Sequence, residues 1–178
     1  MGTWNDTDTP LAYLITVRTY GTWLHGDERG SVDRFMNKYG SPRIPGNHAR
    51  HTYNASIMKG PPVTLDGPMR AAVEDAVREV CDHRHWPLHA VNVRTNHFHT
   101  VARSLGLKPS RHLNAFKAYA TRKLRERNLW IHDRTPWVDK GSERWLWTEE
   151  SILRACDYVI NGHGCDLRDF DSWPVRTT

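Results

Sequence analysis

Residues 90–104 read AVNVRTNHFHTVARS, and this stretch decides how the fold is interpreted. The segments HAVNVR and HFHTVAR are typical of two short strands, and the pair Thr95-Asn96 between them is suited to a turn. Side chains alternate between the two faces of a strand, so His97 and His99 are expected on one face and the intervening phenylalanine on the other. Two imidazoles placed in this way can bind one metal ion, although histidines at this spacing also occur on ordinary surfaces.

The segments around this hairpin alternate between strand and helix patterns. The predicted elements are a strand at 11–20, a helix from Asp66 to about His85, the hairpin strands, a helix capped by Ser110 that ends near Asn128, a short strand at 145–147, and a helix capped by Thr148 that ends at Asn161-Gly162. Residues 22–65 are rich in Gly, Pro, Asn, His and Arg and predict a long irregular insertion, while 168–178 form a tail. This order predicts an α+β fold, a ferredoxin-like antiparallel sheet with helices mainly on one face.

The bulk properties of the chain limit its class. A length of 178 residues fits one domain, so we expect a single domain over 1–178. The sequence has no run of about 18 apolar residues, and its start, MGTWNDTDTP, lacks the features of a signal peptide. We therefore expect a cytoplasmic protein with no membrane partner. A net charge of +5 favours a polyanionic partner.

The segment after the hairpin carries charge of a single sign. From Thr100 through Arg125 the chain has seven basic residues and neither Asp nor Glu, which argues against a cupin-like metal site with a following glutamate. On a helical wheel Arg111 and Arg122 lie with Arg125 opposite the apolar stripe, and Lys117 borders it. Such a face suits phosphate oxygens, although a run of charge is often only a solvated helix face.

A metal ion beside a phosphate requires a nucleophile, and one of the six tyrosines is a candidate. Tyr158 falls nearly opposite the apolar face that we predict for the last helix, so packing does not require it. Exposed tyrosines are nevertheless common. The predicted apolar face consists of Ile152, Leu153, Cys156, Val159 and Ile160.

Four segments of the chain now indicate a family. TNHFHTV, LNAFKAYATRKL, GSERWLW and ILRACDYVINGHG together resemble the single-tyrosine HUH transposases of insertion sequences, including the REP-associated tyrosine transposases. The resemblance extends from about residue 11 to 167. Its most specific parts are the histidine pair preceded by Asn96 and the late helix that carries Tyr-x-x-Asn. It implies an RRM-like or ferredoxin-like catalytic domain, usually a homodimer, that cuts and rejoins single-stranded DNA.

The same resemblance implies the residues of the site. His97 and His99 would bind Mg²⁺ or Mn²⁺, and Tyr158 on the C-terminal helix would be the nucleophile. Relatives commonly have a further ligand, Gln or Asn, about one helical turn after the tyrosine. The residue four positions after Tyr158 is a glycine, which leaves His163 or Asn161 as the third ligand, and we expect His163.

The implied reaction is metal-dependent nicking and strand transfer of single-stranded or hairpin DNA through a 5′-phosphotyrosine intermediate, at the nucleoid. Free tyrosine has a pKa of about 10, so we expect the metal ion and the basic helix face together to favour ionisation of the nucleophile. The residues expected to contact DNA are Asn96, Arg111, Lys117, Arg122 and Arg125.

Two other functions fit the same residues. A domesticated protein that binds hairpin or single-stranded DNA without cutting it would explain the irregular third-ligand position. An RNase or another phosphoesterase could use His97 and His99 as acid and base, and its activity would not depend on metal.

Overall fold

The structure is a computed structural model that describes residues 9–28, 30 and 44–162. Four strands and four helices are assigned in this part of the chain. In chain order they are β1 (Ala12–Arg18), α1 (His48–Ser56), α2 (Gly67–Arg84), β2 (Leu88–Val93), β3 (His97–Arg103), α3 (Pro109–Glu126), β4 (Ser142–Leu146) and α4 (Glu149–Asn161).

The four strands form one antiparallel sheet in the order β2-β3-β1-β4. The hairpin predicted from residues 90–104 supplies β2 and β3, and β1 pairs with β3 along its whole length. With helices between β1 and β2 and between β3 and β4, this is the ferredoxin-like arrangement, so the predicted α+β fold class is confirmed. None of the helices in the described part of the chain is long and apolar enough to cross a membrane.

The two faces of the sheet have separate apolar cores. The fully buried Ile15 and Phe98 pack with α2 and α3 on one face. On the other face Leu14 and Val101 pack against α4, where Val159 is fully buried. Burying each such side chain contributes about 1.5–3 kcal/mol, so both helix layers are held mainly by the alternation of apolar residues along the strands.

The ends of the helices follow the capping pattern at two predicted positions and depart from it at a third. The side chains of Asp66 and Thr148 accept hydrogen bonds from the backbone at the starts of α2 and α4, as predicted. The prediction that Ser110 caps α3 is wrong. The N-cap is Lys108, because Pro109 takes the first helical position, where its missing N–H needs no partner.

Three other predicted features differ in the structure. The insertion at 22–65 contains the helix α1, which the composition did not reveal, and the side chain of Asn47 caps it by accepting a hydrogen bond from the Arg50 amide. β4 begins three residues earlier than predicted. The predicted apolar face of α4 is wrong at Leu153, which is 69% exposed. The predicted tail at 168–178 lies outside the described residues.

Candidate active site

The two histidines of β3 lie side by side on one face of the sheet. Phe98 between them is fully buried in the opposite core, as strand alternation requires. The imidazole rings of His97 and His99 have centroids 4.7 Å apart and planes inclined at 73°. His99 is 5% exposed, whereas His97 is more open. The rings therefore form a pair at the edge of the core on the α4 side.

Each imidazole is oriented through its Nδ1 atom. Nδ1 of His97 lies 2.6 Å from Oδ1 of Asn96, and Nδ1 of His99 lies 2.7 Å from the hydroxyl of Thr16. An amide oxygen accepts hydrogen bonds, so Nδ1 of His97 is the donor in this contact. Histidines that bind metals are usually held in this way by a neighbour on the other ring nitrogen.

Asn96 is itself fixed by the end of β1. Its backbone carbonyl accepts hydrogen bonds from the Thr19 amide, at 2.9 Å, and from the Thr19 hydroxyl, at 3.0 Å. The backbone of the residue whose side chain orients His97 is therefore held by Thr19, which directly follows β1. The DNA contact expected for Asn96 stays a prediction.

Tyr158 lies on the same face as the histidines. Ile152 and Ala155 of α4 are buried against the sheet together with Val159, so the helix is held on this side. The rings of Tyr158 and His99 have centroids 5.5 Å apart and planes inclined at 70°. Tyr158 is 45% exposed. The chain therefore brings the predicted nucleophile to the histidine pair within a single subunit and leaves it accessible to a ligand.

The C-terminal end of α4 limits where a third ligand can lie. His163 is outside the described residues, and the Asn161 amide donates a hydrogen bond of 2.8 Å to Asp157. A Cβ atom added at Gly162 would be 2.5 Å from the carbonyl oxygen of Tyr158 and 2.7 Å from its ring atom Cδ2. A side chain four residues after the tyrosine does not fit this helix end unless Tyr158 moves. The identity of a third ligand stays a prediction.

The donor set at the histidine pair fits a divalent ion. Two neutral imidazoles suit Mn²⁺ better than Mg²⁺, because Mg²⁺ prefers oxygen ligands more strongly. Within residues 9–28, 30 and 44–162 no three His, Cys, Asp or Glu side chains are grouped so that they could hold a metal ion. The two histidines alone do not complete a coordination shell, so a bound ion would need further donors, such as water, substrate oxygens or the predicted third ligand, His163 or Asn161.

Three neighbours of the histidines were not identified from the sequence. Thr16 is the cross-strand partner of His99 on β1, and Asn92 is its partner on β2. Arg18 is paired with His97 in the same register, and its guanidinium lies 4.1 Å from the ring centroid of Trp23. One pattern in the sequence could have indicated the two residues of β1. On the strand face that carries them, the side chains change from apolar to polar, in the order Ala12, Leu14, Thr16 and Arg18.

The basic helix α3 lies on the other side of the sheet. Leu113 and Phe116 of this helix pack in the core that contains Phe98, whereas His97 and His99 project from the opposite face. Within one chain the basic face of α3 therefore does not reach a phosphate bound at the histidines. The expectation that this face favours ionisation of the tyrosine is wrong for a single subunit.

Two of the basic side chains on α3 hold the following loop. Nζ of Lys117 donates hydrogen bonds of 2.8 Å to the carbonyl oxygens of residues 138 and 139. Burial lowers the pKa of this ammonium, while Asp139 and Glu143 act in the opposite direction. Arg125 donates to the carbonyl oxygens of residues 132 and 133 at 3.1 and 2.8 Å. These contacts give both residues a role in the fold, and their DNA contacts stay predictions.

The other two basic residues of α3 are more open to solvent. Arg122 forms ion pairs with Glu79 and Glu126, and Arg111 is exposed near the start of the helix. Exposed ion pairs stabilise a fold by only about 0–1 kcal/mol, so a phosphate can replace them at small cost. The expected DNA contacts of Arg111 and Arg122 also stay predictions.

Comparison with known proteins identifies the family. Residues 58–157, more than half of the chain, match the model of a family described as IS200-like transposases. The chain belongs to this family, which confirms the resemblance to single-tyrosine transposases. Enzymes of this family depend on a metal ion in general. The matched residues include both histidines and end one residue before Tyr158.

One solved structure similar to this chain is described as a REP-associated tyrosine transposase bound to a REP hairpin. The two chains are 12% identical and align with a TM-score of 0.46, over 90% of this chain and 71% of the other. No curated protein matches this chain closely enough to count as a relative.

Proposed function

We propose that this chain nicks single-stranded DNA and transfers the cut strand, with Tyr158 as the nucleophile and His97 and His99 as ligands of Mn²⁺ or Mg²⁺. The observation that carries the proposal is the contact between the rings of His99 and Tyr158, whose centroids are 5.5 Å apart. Membership of the IS200-like transposase family supports DNA as the substrate.

The proposed reaction conserves phosphoester bonds. The hydroxyl of Tyr158 loses its proton to solvent, and its oxygen attacks the phosphorus of the scissile phosphodiester. The bond from phosphorus to the 3′ oxygen breaks, and that oxygen takes up a proton to become a 3′-hydroxyl. The 5′ phosphate is then esterified to the tyrosine, so a later attack by a 3′-hydroxyl can rejoin a strand without another energy source.

The side chains around the histidines have distinct proposed roles. A divalent ion bound at His97 and His99 would neutralise charge that develops on the phosphate oxygens. Asn96 and Thr16 keep the two imidazoles in fixed orientations, which reduces the reorganisation that binding requires. The exposed side of Tyr158 remains open for the approach of a flexible single strand.

We propose a folded single strand, such as a hairpin with an unpaired flank, as the DNA partner. The unpaired flank would supply the scissile phosphate. A DNA backbone that is constrained in a duplex has less freedom to reach Tyr158 on α4. Arg111, Arg122 and the other basic residues of α3 would contact a different part of the DNA, since they lie behind the sheet. The homodimer remains part of the proposal.

The reaction can be tested with a labelled hairpin oligonucleotide that carries single-stranded flanks. Incubation with Mn²⁺ and separation on a denaturing gel should give a protein-linked DNA band, which Tyr158→Phe abolishes. Tyr119→Phe, on α3 behind the sheet, is the matched control and should retain the band. An unstructured strand of the same composition tests the need for a hairpin.

The two alternative functions give different results in the same experiment. Tight binding of the hairpin with no protein-linked DNA would support a binding protein that does not cut. Cleavage that persists in EDTA and in Tyr158→Phe would support acid and base catalysis by the histidines. Either result would contradict the proposed mechanism.

A further inference from the structure

A buried side chain connects the sheet to the last turn of α4. Asn92 is 8% exposed, and its Nδ2 donates a hydrogen bond of 2.7 Å to the carbonyl oxygen of Val159. Val159 follows Tyr158 in the chain and is fully buried. Asn92 is also the direct cross-strand partner of His99. One amide group therefore joins the strand beside the histidine to the helical turn that carries the tyrosine.

The hydrogen bond meets a need that arises at helix ends. The last four carbonyl groups of an α-helix have no amide partner inside the helix. α4 ends at Asn161, so the carbonyl of Val159 is one of these groups, and it faces the sheet rather than solvent. A buried carbonyl without a donor is unfavourable, and Asn92 supplies the donor. The hydrogen bond forms only when α4 lies at one distance from the sheet and in one rotation about its own axis.

The apolar contacts of α4 fix the position of its last turn less closely than the hydrogen bond from Asn92 does. Ile152 and Ala155 pack with Val159 against the sheet, but the hydrophobic effect is not directional and tolerates small shifts of a helix along its axis. A hydrogen bond to a backbone carbonyl weakens steeply with distance and angle. The position of the last turn relative to β3 therefore depends on the amide of Asn92.

We propose that Asn92 is a positioning residue, whose amide holds the last turn of α4 so that Tyr158 stays beside His99. Asn92 acts through the backbone of Val159 and needs no contact with DNA or metal. The inference rests on the proposed function, because the placement of Tyr158 affects the chemistry only if Tyr158 is the nucleophile.

Three variants separate this role from a general loss of stability. Asn92→Leu keeps a similar volume and removes the donor, and Asn92→Gln keeps a carboxamide on a longer side chain. Thr100→Val is the matched control. It removes a buried hydroxyl that has no hydrogen-bond partner in the described structure, and it lies on the opposite face of the same sheet.

The expected result is a change in rate without a change in binding. In single-turnover reactions at saturating hairpin DNA and Mn²⁺, Asn92→Leu should form the protein–DNA adduct about 10- to 100-fold more slowly than the wild type, because small displacements of reacting groups cost that much. The concentrations of DNA and Mn²⁺ that give half-saturation should stay unchanged. Asn92→Gln should recover part of the rate, and Thr100→Val should match the wild type.

Hydrogen exchange provides a readout that needs no activity. Amide protons in the last turn of α4 should exchange faster in Asn92→Leu than in the wild type or Thr100→Val. Unchanged exchange, or an unchanged adduct rate in Asn92→Leu, would overturn the inference, as would a parallel loss of DNA and metal binding. A wild-type protein that forms no adduct would instead overturn the proposed function, and the exchange result would still decide whether Asn92 holds the helix end.

Discussion

At the scale of single residues, each of the two imidazoles has an oxygen partner that orients its ring. The Nδ1 atoms of His97 and His99 both have oxygen partners, which come from Asn96 in the turn before β3 and from Thr16 on β1. For His97 the acceptor is an amide oxygen, so Nδ1 is the donor and we expect this ring to bind a metal ion through Nε2. The orientation is set by the fold before any ion or DNA is bound.

Removal of the amide beside His97 should therefore weaken metal binding. We expect Asn96→Ala to raise the Kd for Mn²⁺ about 10- to 100-fold, the usual effect of losing a partner of a ligating histidine, as measured by titration calorimetry. Asn114→Ala, an exposed substitution on α3, is the control and should leave the Kd unchanged. An unaltered Mn²⁺ affinity in Asn96→Ala would show that this amide does not prepare the site.

Gly162 should be sensitive to the smallest added side chain. In Gly162→Ala the new methyl group would overlap the carbonyl and ring of Tyr158, so the tyrosine has to move and adduct formation should slow about tenfold or more. Gly67→Ala is the matched control, because a Cβ there has no atom within 4 Å. Equal adduct rates for the two variants would mean that the helix end adjusts freely.

Strand alternation was enough to predict the histidine pair, and the helical wheel was enough to separate Tyr158 from the packing face. Thr16 and Asn92 could not be found in this way. Both contact the site across strands, and the register between strands depends on tertiary packing that a single sequence does not reveal. The lack of room for a side chain at Gly162 was also not predicted, because it depends on the position of the Tyr158 ring and carbonyl at the helix end.

At the scale of secondary structure elements, the side of the sheet on which each helix packs decides which charges reach the site. α2 and α3 each connect two parallel strands of the sheet, and such crossovers are right-handed in nearly all proteins, so both helices lie on one face. α4 follows the last strand and is not bound by this rule, and it covers the other face with the help of Ile152 and Val159. The sequence predicted α2, α3 and α4 but not the separation of the basic face of α3 from the histidines.

Because α4 packs on its own sheet, we expect each chain to cut with its own tyrosine. A mixture of Tyr158→Phe and His99→Ala proteins, refolded together, should form no DNA adduct, because each chain lacks one half of its own site. The same gel assay is used, with the wild type refolded with Tyr158→Phe as the positive control. Adduct on the His99→Ala chain in the mixture would show that the tyrosine acts on the site of a partner subunit.

At the scale of the whole molecule, the core behind the sheet depends on a neutral histidine. His112 is fully buried, its ring stacks on Trp86 with centroids 4.0 Å apart, and its Nε2 lies 3.0 Å from the carbonyl oxygen of Arg103. Burial lowers the pKa of His112, and the hydrogen bond with the backbone carbonyl of Arg103 acts in the opposite direction. The folded protein therefore binds a proton on this ring less readily than the unfolded chain.

This difference predicts how stability depends on pH. Above the ordinary histidine pKa of about 6.5 the ring is neutral in both states and its contribution is complete. As the pH falls below that value, the unfolded chain takes up the proton first, so the free energy of unfolding decreases. Urea denaturation at pH 7.5 and at pH 5.5 measures how much free energy of unfolding is lost between the two values. This loss should be smaller in His112→Gln than in the wild type. His48→Asn, an exposed control on α1, should behave as the wild type, and equal losses in all three would contradict the account.

The central claim is that Tyr158, and no other side chain, becomes bonded to DNA beside the histidine pair. Tryptic digestion after reaction with a short oligonucleotide in Mn²⁺ tests it most directly, because the peptide 155–168 contains Tyr158 and no other tyrosine. Mass spectrometry should find this peptide with a 5′-phosphonucleotide attached in the wild type, and should find it unmodified in His97→Ala. A nucleotide attached to any other peptide, or to this peptide at the same yield without the histidine, would contradict the account.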